Sequence, residues 1–317
     1  MAQEKLDATF FAFKKRDQRF VLVRAAAAYL ALYLVGCVIY TALAWSAFGP
    51  VYGWYFGAMT SAMEGIEPPA PPAELLSLVP LGIGFVIVFM ALFAAFEAAC
   101  LRWLVRGESG GGFMGLKAGS DTWRVFAIYW LWALLLLAIM LAIVLLYVGL
   151  RALGSIGGAA QLAAMILGGL APLAALALWL FVAVRLAPAA AASIGRRRFV
   201  FFGAWRVTRG HLWALLGSFV IVIVGYLVVA LIAGQIIQIP IEREMMPVMR
   251  EMMTGDDASA AARRMTEVMQ TPTFLIFGSL YLIVTSAIAC VYYIAMFGVN
   301  ARVVLASAEG VSQASSE

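Results

Sequence analysis

Glu97 is the one carboxylate well inside an apolar run, about one helical turn from its end, where an ionised group costs several kcal/mol unless it is paired or hydrated. Two chemistries suit it. Paired with an arginine at matching depth, Arg185 first and Arg124 or Arg102 behind it, it would fix helix packing; left free, it would relay protons or bind a cation. A second intramembrane feature is Gly168-Gly169 followed by Pro172 in an alanine-rich run. Such a stretch either lets a neighbouring helix approach closely or breaks the helix, freeing backbone groups to line a midplane substrate site. Glu97, Arg185, Gly168, Gly169 and Pro172 are therefore the residues of a possible intramembrane pathway.

Basic residues cluster at Arg196, Arg197, Arg198, Arg206 and Arg209, beside the single histidine, His211. Guanidinium groups at the edge of an apolar run set topology and contact phospholipid headgroups, and a lone histidine there suits an interfacial hydrogen bond better than a metal site or a nucleophilic triad. Between Pro240 and Pro272 lie Met245, Met246, Met249, Met252, Met253, Met265 and Met269, seven of the fifteen methionines. Their helical spacing, with Glu242, Arg243, Glu244, Arg250 and Glu251 on the other face, reads as an amphipathic helix resting on the outer leaflet or covering an apolar groove. Soft thioethers also suit Cu(I), but no histidine or cysteine accompanies them. Met245, Met249, Met252 and Met253 are the expected lipid or partner face.

Other chemistry is missing from the pattern. There is no phosphate-cradling glycine loop with its lysine, no zinc-protease helix and no GxSxG elbow; Gly110-Gly111-Gly112 lacks the flanking strand and helix and reads as a flexible loop. Cys37, Cys100 and Cys290 all fall within apolar runs, without partners at ligand spacing. The expectation is a protein that is not an enzyme and carries no cofactor or metal.

The elements that position these residues follow from composition. The chain has 317 residues, 64% apolar and 12% charged, with a mean hydropathy of +0.96, against about 45–50% apolar and about 25% charged in soluble domains. A hydrocarbon core of about 30 Å takes about 20 helical residues to cross. Six runs are that long: Phe20 to about Phe48, Leu75 to Leu101, Trp123 to Leu150, Gly158 to Leu186, Leu212 to Ile239 and Phe274 to Val304. None alternates with the period of a barrel strand, so the fold class is all-α, a polytopic bundle of six transmembrane helices forming three hairpins. It reads as one membrane domain: an amphipathic segment 1–19, the bundle 20–304 with the methionine-rich outer loop 240–272, and a tail 305–317.

Seventeen of the 22 lysines and arginines lie on the side of the termini, while the opposite side has five, together with nine carboxylates between Glu64 and Glu267. This bias predicts a bacterial inner-membrane protein with both termini in the cytoplasm. It also explains the net charge of +5 without a nucleic-acid partner. Tyr40, Trp45, Phe48, Tyr52, Trp54, Tyr55 and Phe56 gather at the outer end of the first span as an interfacial belt, followed by the stiff turn Pro68, Pro69, Pro71, Pro72. Phe113–Thr122 aligns with Phe199–Thr208 at the paired Phe, Ala and Thr positions, a hint of an internal repeat.

The stretches Arg185-Leu-Ala-Pro188-Ala-Ala-Ala-Ala-Ser-Ile and Phe202-Gly-Ala-Trp205-Arg206-Val-Thr208-Arg209-Gly210-His211-Leu-Trp213-Ala-Leu-Leu-Gly217 resemble bacterial six-helix inner-membrane proteins similar to the membrane domain fused to some glycerophosphoryl diester phosphodiesterases. In the fused relatives, catalysis belongs to a separate soluble domain that this sequence lacks, so the resemblance implies the membrane fold and no activity. The expected function is a non-enzymatic integral membrane protein that binds membrane lipids or another membrane protein. The alternative is a small-molecule or lipid transporter or channel subunit with its site near the fourth span.

Overall fold

Long apolar runs in a medium without water must satisfy their own backbone groups, and in the computed structural model they do so as helices. The structure describes residues 8–14, 20–254 and 264–314. In chain order the helices are α1 (Phe11–Lys14), α2 (Val21–Glu64), α3 (Ala73–Leu101), α4 (Ser120–Gly154), α5 (Gly158–Leu186), α6 (Ala189–Gly195), α7 (Ala204–Val207), α8 (Leu212–Thr254) and α9 (Pro272–Ala314), with a π-helical turn, Arg102–Arg106, extending α3. No strand occurs among the described residues; Phe113 and Leu116 form an isolated bridge. Six of the helices are long and apolar enough to cross a membrane. Their apolar side chains, such as Leu137, Leu145, Leu173 and Leu231, are exposed on the protein's own surface. That surface is stable against lipid and not against water. The chain is a multi-pass all-α membrane protein.

Several helices outrun the sequence expectation. With 44 residues in α2 and 43 in α8, each is about 65 Å long, twice the thickness of the hydrocarbon core. Pro50 lies inside α2, and Pro240 and Pro247 inside α8, where the spans were expected to end. A proline removes one hydrogen bond from a long helix, whereas ending the helix would expose several, so the helices continue through. Of the methionines expected on an amphipathic helix between Pro240 and Pro272, Met245, Met246, Met249, Met252 and Met253 thus lie on the continuation of α8, and Met265 and Met269 lie beyond its end.

The chain divides into two compact units. Unit one contains, of the described residues, 8–14, 20–25, 94–221 and 294–314. Its core is built of Phe96, Leu101, Leu104, Val125, Ile128, Ile194, Leu215, Val299 and Val303, all buried. The alanines of α6 are equally buried, and their small side chains let this short helix pack against the π-helical turn and α4. At Gly298 of α9 a Cβ would lie 2.7 Å from the Cβ of Ala12, so the contact between α1 and α9 requires glycine. Trp132 of α4 meets Trp179 of α5 edge to face at 5.6 Å.

Unit two contains 26–93 and 222–293. Aromatic rings hold α2 to α3: Tyr29 on Phe93 at 5.7 Å, Tyr33 on Phe89 at 5.1 Å and Tyr40 on Phe85 at 4.3 Å. The proline-rich turn is tied down by the Trp54 indole, which donates to the Pro69 carbonyl at 2.8 Å. Near the end of α8, Val248 and Met265 form a small core covered by Tyr52, Met245, Val268 and Met269. Met245, expected on the lipid or partner face, is half-buried and packs in part against this core. Met246 and Met249 are exposed, and the side chains of Met252 and Met253 lie outside the described ones.

Candidate functional site

Glu97 is buried near the end of α3, and the Tyr129 hydroxyl of α4 donates to its Oε2. The expected arginine pair is not formed. The Nη1 of Arg185 donates to the Thr208 carbonyl at 3.1 Å, and its guanidinium lies over the rings of Phe181 (5.4 Å) and Trp205 (5.5 Å). Thr208 is fully buried, and its Oγ1 lies 3.1 Å from the Trp205 carbonyl. Arg185 thus fastens the chain that returns from α6 through α7, a carbonyl and two π faces replacing the carboxylate. The other expected partners, Arg124 and Arg102, turn to Asp121. Glu97 and Arg185 are not brought together.

In α5 the helix is continuous through Gly168, Gly169 and Pro172. A Cβ on either glycine would meet nothing within 4 Å, so neither close packing at the glycines nor a helix break is realised. Pro172 has no N–H to offer the carbonyl of Gly168, four residues earlier. The Tyr147 hydroxyl of α4 supplies the missing donor at 3.1 Å.

The segment Gly195 to Trp213 forms an exposed surface. Arg196, Arg197, Arg198, Arg206 and Arg209 are exposed and His211 is half-buried. Between them Phe199, Phe202, Trp205 and Trp213 are exposed as well, Phe202 at 76% and Trp213 at 79%. Arg197, at a left-handed φ of 51°, closes α6 by donating its N–H to the Ile194 carbonyl at 3.1 Å. The backbone is pinned from beneath by buried Ser193, whose Oγ accepts the Val200 N–H at 2.9 Å.

The sequence pointed Arg102 and Arg124 to Glu97 and Arg197 to lipid headgroups, and counted Arg106 and Lys117 only as topology signals; in unit one all of these but Lys117 converge on two carboxylates. Asp121, in the first turn of α4, accepts from Arg106 Nη2 at 2.7 Å and Arg124 Nη1 at 2.6 Å, with Arg102 Nη1 at 3.9 Å. Glu108 accepts from Arg106 at 2.8 Å and Arg197 at 2.6 Å. Arg106 also donates through Nη1 to the Ile194 carbonyl at 3.2 Å, and Arg102 donates through Nη2 to the Gly115 carbonyl at 3.0 Å. The intervening chain turns back at Met114 and Gly115, both at positive φ. Gly112 has a φ of +93°, and a Cβ there would strike the Leu116 carbonyl oxygen at 2.5 Å. The Thr122 hydroxyl holds the return by donating to the Lys117 carbonyl at 2.6 Å. The glycine loop expected to be flexible is therefore built into the centre. Its counterpart in the suspected repeat, 199–208, contains the short helix α7 instead of a bridged turn, so the alignment has no structural echo.

Two cavities flank this loop. One, of about 260 Å³, is lined by Arg102, Arg106, Lys117 and Asp121 together with Gly110 and Gly119. The other, of about 520 Å³, is lined by Val21, Arg24, Ser109 and Gly110, among others. Fold and centre together define a helical membrane protein with a basic, hydrogen-bonded hub joining its loops. Comparison with protein-family models, curated proteins and solved structures finds no match.

Proposed function

We propose that the chain is a non-enzymatic protein of a bacterial inner membrane, with both termini in the cytoplasm, that binds membrane lipids through the surface from Arg196 to Trp213. The observation that carries this reading is the interleaving of exposed Arg196, Arg198, Arg206 and Arg209 with exposed Phe199, Phe202, Trp205 and Trp213. Rings at the headgroup level and guanidiniums on phosphate are the pairing an anionic leaflet selects. Partition of charge supports the orientation. Unit one holds the basic connections around residues 102–124 and 185–209, together with Arg24 and Arg302, with Arg151 as an exception at the far end of α4; Arg243, Arg250 and Arg264 fall in unit two among its carboxylates. The resemblance to the membrane domain associated with glycerophosphoryl diester phosphodiesterases agrees with this reading. A transport path through α5 has no such support, since that helix is continuous.

The test is native mass spectrometry of the full chain released from mixed phosphatidylglycerol and phosphatidylcholine nanodiscs. Wild type should retain phosphatidylglycerol preferentially, and a variant with Arg196, Arg198, Arg206 and Arg209 all changed to Gln should lose that preference several-fold. Equal retention of both lipids by both proteins would defeat the reading.

A further inference from the structure

The smaller cavity of unit one has a donor set that its own carboxylates do not use up. Asp121 and Glu108 are each engaged by two close arginines, of which Arg124 and Arg197 stand outside the cavity lining. Five cations, Arg102, Arg106, Lys117, Arg124 and Arg197, thus surround two anions. Lys117 has no carboxylate partner among the described residues, and its stem lies against Gly119, 3.7 to 3.9 Å from where a Cβ would be. Gly119 is the N-cap of the 35-residue α4 and provides no side-chain cap, so the opening N–H groups of that helix lack a side-chain acceptor from it, and Gly119, Ser120 and Asp121 line the cavity.

An independent observation comes from Arg102. Its side chain is 7% exposed, it lines the cavity, and its Nε has no hydrogen-bond acceptor. A buried guanidinium N–H without an acceptor is costly and rare in a finished core. Gly110 packs against this guanidinium, for a Cβ there would lie 3.3 Å from Nε and 2.9 Å from Nη2. Arg106 Nε, also buried, is likewise without an acceptor.

We propose that this cavity, bounded by Arg102, Lys117, Gly110 and the start of α4, is a binding site for a phosphate group, free or carried as a phosphomonoester headgroup. A tetrahedral oxyanion has enough acceptor positions for a guanidinium edge, an ammonium and helix N-terminal N–H groups at once. About 260 Å³ admits it with a few waters, each taking about 30 Å³. The proposal rests on unit one alone and stands or falls independently of the lipid surface at 196–213.

The test uses the full-length protein in phosphatidylcholine nanodiscs, with thermal unfolding followed by tryptophan fluorescence. Inorganic phosphate is titrated against sodium chloride at equal ionic strength, and in a second arm phosphatidic acid is added to the bilayer. Two variants probe the site without disturbing buried groups: Lys117→Gln, at an exposed side chain, and Ser120→Pro, at the first helical position, where proline is tolerated and removes one N–H. Saturable stabilisation by phosphate, weakened about tenfold by each variant, supports the site. Stabilisation by phosphate alone identifies a free anion; stabilisation by phosphatidic acid alone identifies a headgroup delivered from the bilayer. No effect beyond sodium chloride in either arm, or full effect in both variants, overturns the proposal.

Discussion

Asp121 accepts hydrogen bonds from two arginines at a carboxylate that is 11% exposed, so removing its charge leaves buried guanidiniums facing one another. Asp121→Asn should destabilise the protein by about 3 kcal/mol, read as a lowered melting temperature in detergent. Glu108→Gln, at a carboxylate 42% exposed, should cost less than about 1 kcal/mol in the same assay, because water screens it. Glu97 behaves differently, since its partner is the neutral Tyr129 hydroxyl. Tyr129→Phe should cost about 1–3 kcal/mol by leaving a buried carboxyl short of a donor, and adding Glu97→Leu should recover part of that loss. A double variant as unstable as the sum of its parts would show that the pair is not coupled. The carboxylate's need for a partner was legible from its place in an apolar run; that the partner is a tyrosine, 32 positions away on the next helix, was not.

Pro172 and Tyr147 make a prediction that belongs to helices. The Tyr147 hydroxyl serves the Gly168 carbonyl that Pro172 leaves without an N–H, so Tyr147→Phe should cost about 1 kcal/mol in the native chain and almost nothing beside Pro172→Ala, which restores the helix's own donor. Equal cost in both backgrounds would break the link. The contact between α1 and α9 is similarly local. Gly298→Val would push a branched side chain into Ala12, whose Cβ already lies 2.7 Å from the glycine's missing Cβ, and should free α1. A cysteine placed at the buried Ala12 should then change from slow to rapid maleimide labelling. Helix existence was readable from run length, whereas helix ends at prolines were misplaced. A proline's local cost is visible in sequence, but the greater cost of stopping depends on the surroundings.

For the whole molecule, the charge bias makes a topological statement that labelling can test. Single cysteines at Ser109 and Arg206 should react with a membrane-impermeant maleimide only after the inner membrane is opened, and cysteines at Ile66 and Met249 should react in intact spheroplasts. The reverse pattern would invert the orientation and remove the lipid-leaflet reading with it.

Six crossings, the all-α class and the uneven charge were settled by the sequence alone, because a bilayer imposes a length and polarity threshold on each segment independently of every other. The hub was not. Its members include Arg106 and Ile194, 88 positions apart, and a glycine loop whose role appears only when Arg102 lies across it. Which basic side chains meet carboxylates and which keep free N–H groups depends on how distant loops pack, and linear spacing carries no record of that.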